Sequence, residues 1–266
     1  MKRTKKRVVI ISDLHSGTGC GLTPPDWQYK YVMNDRTKRN KFSAIQKQCW
    51  EFYYKTIMQL KPIDILIVNG DAIDGHGERS GGTEQITTDM QVQAEMASEC
   101  INITSADKKI IIAGTAYHTG QVEDFETLIK DYTKADKFGS HEWIDINGII
   151  FDCKHHLGSS GVPYARHTAI SKENVWNALW AERKEQPRGD IFIRSHTHSF
   201  SYAGNGQFLG IVTPALMGLG SRYGSRRCTG TVDFGLISFD IDSDGRYTWN
   251  AHLADIVAQR ASVIKL

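Results

Sequence analysis

Short apolar runs rich in valine and isoleucine recur along the chain, each followed by turn residues. They are VVIIS (8–12), IDILIVN (63–69), KIIIAG (109–114), GIIFDCK (148–154), DIFIRS (190–195), FLGIVT (208–213), FGLISFDI (234–241) and RYTWNAHL (246–253). Runs this short and continuously apolar fit strands buried on both faces. Between them, residues 41–60, 88–105, 121–134 and 169–185 read as helices. In the first, Phe42, Ile45, Cys49, Phe52, Ile57 and Leu60 fall close to helical spacing and predict a core-facing stripe. Alternation of strand and helix predicts a mainly parallel α/β sheet in the first two-thirds. The last third has strands with no helices between them, which predicts a second, largely antiparallel sheet packed on the first. No repeat, low-complexity tract or linker breaks the pattern, so one domain over residues 1–266 is expected.

Composition adds exclusions. With 40% hydrophobic and 23% charged residues, the 266-residue chain reads as an ordinary globular protein with a sizeable core. A formal charge of +2 is too small to argue for nucleic acid by itself. No apolar run approaches the ~20 residues of a membrane helix. MKRTKKR leads straight into a strand without an apolar signal region, so a cytoplasmic protein is expected. Cys20, Cys49, Cys100, Cys153 and Cys228 are scattered and never paired as CxxC, which argues against a thiolate zinc site and against disulfides.

The chemistry lies at the strand ends, where open α/β sheets bind ligands. Asp13 and His15 follow the first run, Asp71 and Asp74 the second, and Thr115 and His118 the third. His155 and His156 follow the fourth, and His196 and His198 the fifth. Six of the ten histidines therefore sit just past a strand; His76, His141 and His252 read as ordinary. Histidine and carboxylate without cysteine suit a divalent ion of the manganese, iron or zinc kind. The set is too rich for one tetrahedral zinc. Two ions roughly 3.5–4 Å apart, bridged by a carboxylate, would use it all, a common device for hydrolysing phosphate esters. No GxxxxGK phosphate loop and no GxSxG elbow is present.

In order, DLH, GDAID, a glycine-led loop carrying a histidine, HH and SHTH resemble the calcineurin-like metallophosphoesterase superfamily, with its DxH, GDxxD, GNH, H and GHxH blocks. The resemblance spans about residues 8–200, with an insert at about 16–62 after DLH. NGDAIDG, QITTDMQVQAE and GTAYHTG further resemble its phage and prophage branch, which would place the protein in a host cytoplasm. The resemblance implies a four-layer α-β-β-α sandwich, two mixed sheets flanked by helices. It implies two divalent ions, manganese first, with iron, zinc or nickel as alternatives. Asp13, His15 and His198 would hold one ion and His155 and His196 the other, with Asp71 bridging. Thr115 stands in the slot of the family's asparagine ligand, and a neutral hydroxyl is a poorer ligand. His118, displaced two places, is expected to give a proton to the leaving oxygen or to stabilise phosphoryl charge. Asp74 would orient a ligand histidine, and His156 would touch a ligand or the substrate. Arg166, and Arg222 with Arg226 and Arg227, are candidates for binding substrate phosphate. Basic and aromatic residues mingle in 27–41 and suit a nucleic-acid backbone and bases. A phosphodiesterase acting on DNA, RNA or a nucleotide is expected, with no membrane involvement. A phosphomonoesterase and a non-catalytic metal-binding scaffold are the alternatives.

Overall fold

A computed structural model of the chain describes residues 5–28, 36–120, 124–158, 165–220, 231–260 and 263–265. The elements are β1 (Lys5–Ile11), α1 (Arg36–Leu60), β2 (Ile65–Asn69), α2 (Met90–Asn102), β3 (Lys108–Ile112), α3 (Ala116–Thr119), α4 (Glu126–Thr133), β4 (Lys137–Gly139), β5 (His141–Ile146) and β6 (Ile149–Lys154). There follow α5 (Arg166–Glu182), β7 (Ile191–Arg194), β8 (Ser201–Asn205), β9 (Phe208–Val212), β10 (Phe234–Asp242) and β11 (Tyr247–Ala254).

Period-two burial turns these elements into layers. Along β1, Val9 and Ile11 face one side and Val8 and Ile10 the other, all fully buried. The first pair joins Leu66 and Val68 of β2 against Ile45, Cys49 and Ile57 of α1 and Ala94 and Ala97 of α2. The second pair joins Ile65 and Ile67 of β2 against Phe151, Ile191, Ile193 and Ile211 of the other sheet. On that sheet's outer face, Phe192 and Val212 pack on Ile170 of α5. The order is helix, sheet, sheet, helix, an α/β sandwich of two mixed sheets flanked by helices. A strand with both faces covered has no use for polar side chains, which accounts for the continuous Val/Ile runs.

The strand order corrects one expectation. The six-stranded sheet runs β11-β10-β1-β2-β3-β4 and the five-stranded sheet β5-β6-β7-β9-β8. The last two strands thus complete the first sheet instead of building the second. β10 pairs antiparallel with β1, Val8 opposite Phe239, and covers an edge the parallel β1–β2 pairing leaves open. The second sheet is parallel through β6, β7 and β9, with antiparallel β5 and β8 at its edges. β4, β5 and β8 were not expected; they are short or half-exposed edge strands without a continuous apolar run. Tyr53 also belongs to the buried face of α1, its hydroxyl donating to Cys100 O at 2.7 Å, whereas Phe42 and Phe52 are only partly buried.

Both sheets end at the same place. Ser12, Asn69, Ser195 and Thr213 form a buried chain there: Ser12 Oγ lies 2.6 Å from Thr213 Oγ1, which lies 2.8 Å from Ser195 Oγ, and Asn69 Nδ2 donates to Ser195 Oγ at 2.6 Å. Hydroxyls can both donate and accept, so such a chain links the two sheets beneath the loops that follow, with only Asn69 Oδ1 among its side-chain atoms left without a hydrogen bond. No helix among the described residues is long and apolar enough to cross a membrane.

Candidate metal centre

The strand-end loops turn abruptly. Asp13, His15, Asp71, His196 and His198 have φ between 45° and 74°, five of the nine non-glycine residues in the left-handed region among those described. Each costs on the order of 1–3 kcal/mol and persists only where the surroundings over-determine it. Backbone bonds supply that constraint: Asp13 N donates to Gly70 O and His15 N to Asp71 O, both at 3.0 Å. Ser195 N donates to His155 O, and Asp233 N to His198 O. Two glycines leave room for the side chains. A Cβ on Gly70, whose φ is 86°, would enter the His155 ring, and one on Gly114 would collide with Asp71. Gly114→Ala is therefore expected to lower stability by about 1–3 kcal/mol and to weaken Mn2+ binding at least tenfold. Denaturant unfolding and a Mn2+ titration measure the two effects, and an unchanged titration would contradict this account.

These turns gather side chains from distant positions, Asp13 meeting His198 across nearly the whole span of the site. Asp13, Asp71, His15 and His155 are essentially buried, while His196, His198 and His118 are partly open to solvent. His155, His15 and His118 are oriented from behind. His155 Nδ1 donates to Asn69 O at 2.7 Å, so Nε2 points to Asp71 Oδ2, 3.0 Å away. His15 Nδ1 donates to Asp74 Oδ1 at 2.8 Å, and its Nε2 meets His198 Nε2 at 3.1 Å. His198 Nε2 lies 3.3 Å from Asp13 Oδ1. His118 Nδ1 donates to Asp74 O at 3.0 Å, its ring edge-on to that of His15. Thr115 N donates to Asp71 Oδ1 at 2.6 Å, which leaves Oδ2 facing the histidines. Thr115 Oγ1 sits 3.3 Å from both Asp71 Oδ2 and His196 Nδ1, beside the open side of that pair.

Three groups have donor atoms mutually within 4.8 Å: Asp13, His15 and His198; Asp71, His155 and His196; and His15, Asp71 and His118. Asp13 Oδ1 and His155 Nε2 are buried and complete no hydrogen bond. Buried polar atoms without partners are rare and costly. Mixed nitrogen and oxygen donors converging on such atoms fit a divalent cation.

Without a cation the cluster neutralises itself with protons. Burial opposes charge on His155, but contact with Asp71 and the field of Asp13 outweigh it and push the imidazole up to about 10. Burial likewise opposes charge on Asp13, yet His198 and His155 hold it down at about 2. Asp71 is held well below the carboxylate range, against burial, chiefly by His155. His15 is raised, Asp74 overcoming burial. His196 falls to about 4 through burial and His155, and His118 is lowered by burial and His15.

His156 is exposed, its ring 4.8 Å from that of His196, and belongs to none of the three groups. Arg166 Nη1 donates to Thr231 Oγ1 at 3.0 Å, near the loop whose Asp233 holds His198. Arg222, with Arg226 and Arg227, lies outside the described residues, as do 29–35 of the basic, aromatic segment. His141, His252 and His76 bond Asp152, Ser238 and Thr88 O respectively.

Two buried residues escaped the sequence reading. Gln93 of α2 accepts from Asp74 N and Gly75 N and donates to Gly75 O and Thr87 O, while Gln85 Nε2 donates to Asp74 Oδ2. The QITTDMQVQAE segment thus fixes the carboxylate behind His15. Glu126 of α4, fully buried, accepts from Ala72 N at 2.6 Å and Gly114 N at 2.7 Å. Burial, with the charge of Asp71, pushes its carboxyl up to about 8. The signal was a polar residue on a buried helix stripe: Gln93 beside Met90, Ala94 and Ala97, and Glu126 in line with Ile129 and Thr133.

No family model matches the chain, and no curated protein matches it. Among solved structures, an archaeal protein described as a novel phosphodiesterase is 12% identical with a TM-score of 0.46, covering 92% of this chain and 99% of its own. Vacuolar Protein Sorting 29 from Cryptosporidium parvum is 12% identical with a TM-score of 0.44, covering 94% and 97%. A predicted phosphoesterase from Streptococcus pneumoniae is 10% identical with a TM-score of 0.38, covering 94% and 99%.

Proposed function

We propose that the chain, as one domain, is a dinuclear-metal-dependent phosphoesterase. The observation that carries this reading is the pair of donor groups, Asp13–His15–His198 and Asp71–His155–His196, packed side by side around Asp13 Oδ1 and His155 Nε2, buried atoms that complete no hydrogen bond. Asp13, His15 and His198 would hold one divalent ion, and His155 and His196 the second, with Asp71 available to both. The Thr115 hydroxyl takes the place of a stronger carbonyl ligand. When bound, two such ions activate water near neutral pH and offset charge on phosphoryl oxygens. Nitrogen and oxygen donors without thiolate favour manganese, with iron, zinc and nickel also accommodated. Asp74 fixes the tautomer and angle of His15 through the 2.8 Å bond to Nδ1. His118, with Nδ1 donating to Asp74 O, keeps Nε2 free to face the leaving oxygen, and would deliver a proton there only after Nε2 has taken one up to form the imidazolium. His156, beside the His196 ring, Arg166 and Arg222 are the candidate contacts for substrate phosphate.

The substrate class is a phosphodiester, with nucleic acid or a nucleotide favoured by the basic and aromatic segment 27–41 after the first site block and the arginine-rich segment 221–227 after the last. With Mn2+ present, bis(p-nitrophenyl) phosphate is expected to be hydrolysed faster than p-nitrophenyl phosphate; the reverse preference would make the enzyme a monoesterase. One observation favours a second reading. Thr115 offers only a hydroxyl at the His155–His196 side, so a chain that binds under one equivalent of metal and hydrolyses neither ester would be a metal-binding scaffold.

A further inference from the structure

Asp71 and Thr115 stand on separate loops just past β2 and β3, whose pairing runs as far as Asn69 opposite Ile112. Thr115 N reaches Asp71 Oδ1, which leaves Oδ2 to Thr115 Oγ1 and the histidines. Neighbouring amides on the two loops, Ala72 N and Gly114 N, are both turned to one buried carboxyl, that of Glu126. Each of its oxygens takes one amide. Its position in the first turn of α4 gives a carboxyl favourable dipole surroundings. Among the described residues, the two amides account for its placement.

We infer that Glu126 is the positioning residue of the centre: it clamps the Asp71 and Thr115 loops together and thereby aims Asp71 Oδ2 at His155 and His15. The assignment rests on the metal reading above. It requires two acceptor oxygens on one side chain, because the amides come from different loops and must be held at once. Glutamine would turn an NH2 with no acceptor site toward one of these N–H groups, whereas a carboxyl keeps both oxygens as acceptors, ionised or as the neutral acid with its proton turned away from the amides. Aspartate keeps both oxygens but withdraws them by one methylene.

The test is a calorimetric Mn2+ titration of the full chain as wild type, Glu126→Gln and Glu126→Asp, with melting temperatures taken with and without Mn2+. Glu126→Gln should bind Mn2+ at least tenfold more weakly and lose most of the Mn2+-induced rise in Tm, and Glu126→Asp should recover part of both. A lowered metal-free Tm with wild-type Mn2+ affinity would overturn the inference and leave Glu126 a packing residue. Should Glu126→Gln fail to fold, amide exchange of the wild type decides: exchange at Ala72 and Gly114 should slow on adding Mn2+, and unchanged exchange there would overturn the clamp. A wild-type chain that takes up no Mn2+ would overturn the metal reading and this assignment with it, whereas equal binding by wild type and Glu126→Gln removes the assignment alone.

Discussion

Asp71→Asn is expected to reduce Mn2+-dependent hydrolysis of bis(p-nitrophenyl) phosphate about a thousandfold, the equivalent of roughly 4 kcal/mol of transition-state stabilisation. Asp71 belongs to two of the three donor groups, and its Oδ2 lies 3.0 Å from His155 Nε2 and 4.0 Å from His15 Nε2 and His196 Nδ1. In the proposed dinuclear centre Asp71 would be an anionic ligand common to both ions; as an amide it loses that charge, and its NH2 adds donors that face the wrong way. The fold should survive, because an asparagine oxygen still accepts from Thr115 N as Oδ1 does. Bound manganese per chain, measured by dialysis and elemental analysis, should fall in parallel with the rate. A variant within tenfold of wild type, with full metal content, would remove Asp71 from the centre.

The second large effect is pH. In the metal-free protein His155 is raised from 6.5 to about 10, so it carries a proton at neutral pH and pairs with Asp71. That proton must leave before Nε2 can bind a cation. Mn2+ affinity should therefore rise about tenfold per pH unit between pH 7 and 9, with about one proton released per chain. His196, lowered to about 4, is already neutral and contributes no proton. Stability of the metal-free protein runs the other way. A raised folded-state pKa stabilises fully below 6.5, and that contribution is lost as pH climbs toward 10. Asp13, lowered to about 2, stabilises above about 3.8, and its contribution is lost as pH falls toward 2. Titrations at pH 7, 8 and 9 in buffers of different ionisation enthalpy measure affinity and proton release together. An affinity that does not change with pH would exclude His155 as a ligand.

Much of the centre was legible because histidines and aspartates after apolar runs are uncommon in so ordered a series. Asp13, His15, Asp71, His155, His196 and His198 announce themselves by type and position. The adjacent pair His155–His156 was separable only by burial: the first ring is enclosed and tethered to Asn69 O, the second faces solvent. Glu126 and Gln93 look like ordinary helix surface residues unless the buried stripe is drawn first, and their work is on backbone amides, which carry no sequence signature.

By itself the chain determined the layers: continuous Val/Ile runs say that both faces of a strand are covered, and helical stripes say what covers one of them. It also determined which chemical groups stand at the strand ends. Only the tertiary structure decided that β10 and β11 join the first sheet, that Asp71 turns Oδ2 rather than Oδ1 to the histidines, and that Glu126 ties two loops. The physical reason is that apolar burial has no direction within a layer, so the hydrophobic pattern chooses a face and not a neighbour. Hydrogen bonds do choose neighbours, but between residues tens to hundreds of positions apart, and those meet only when the sheets close.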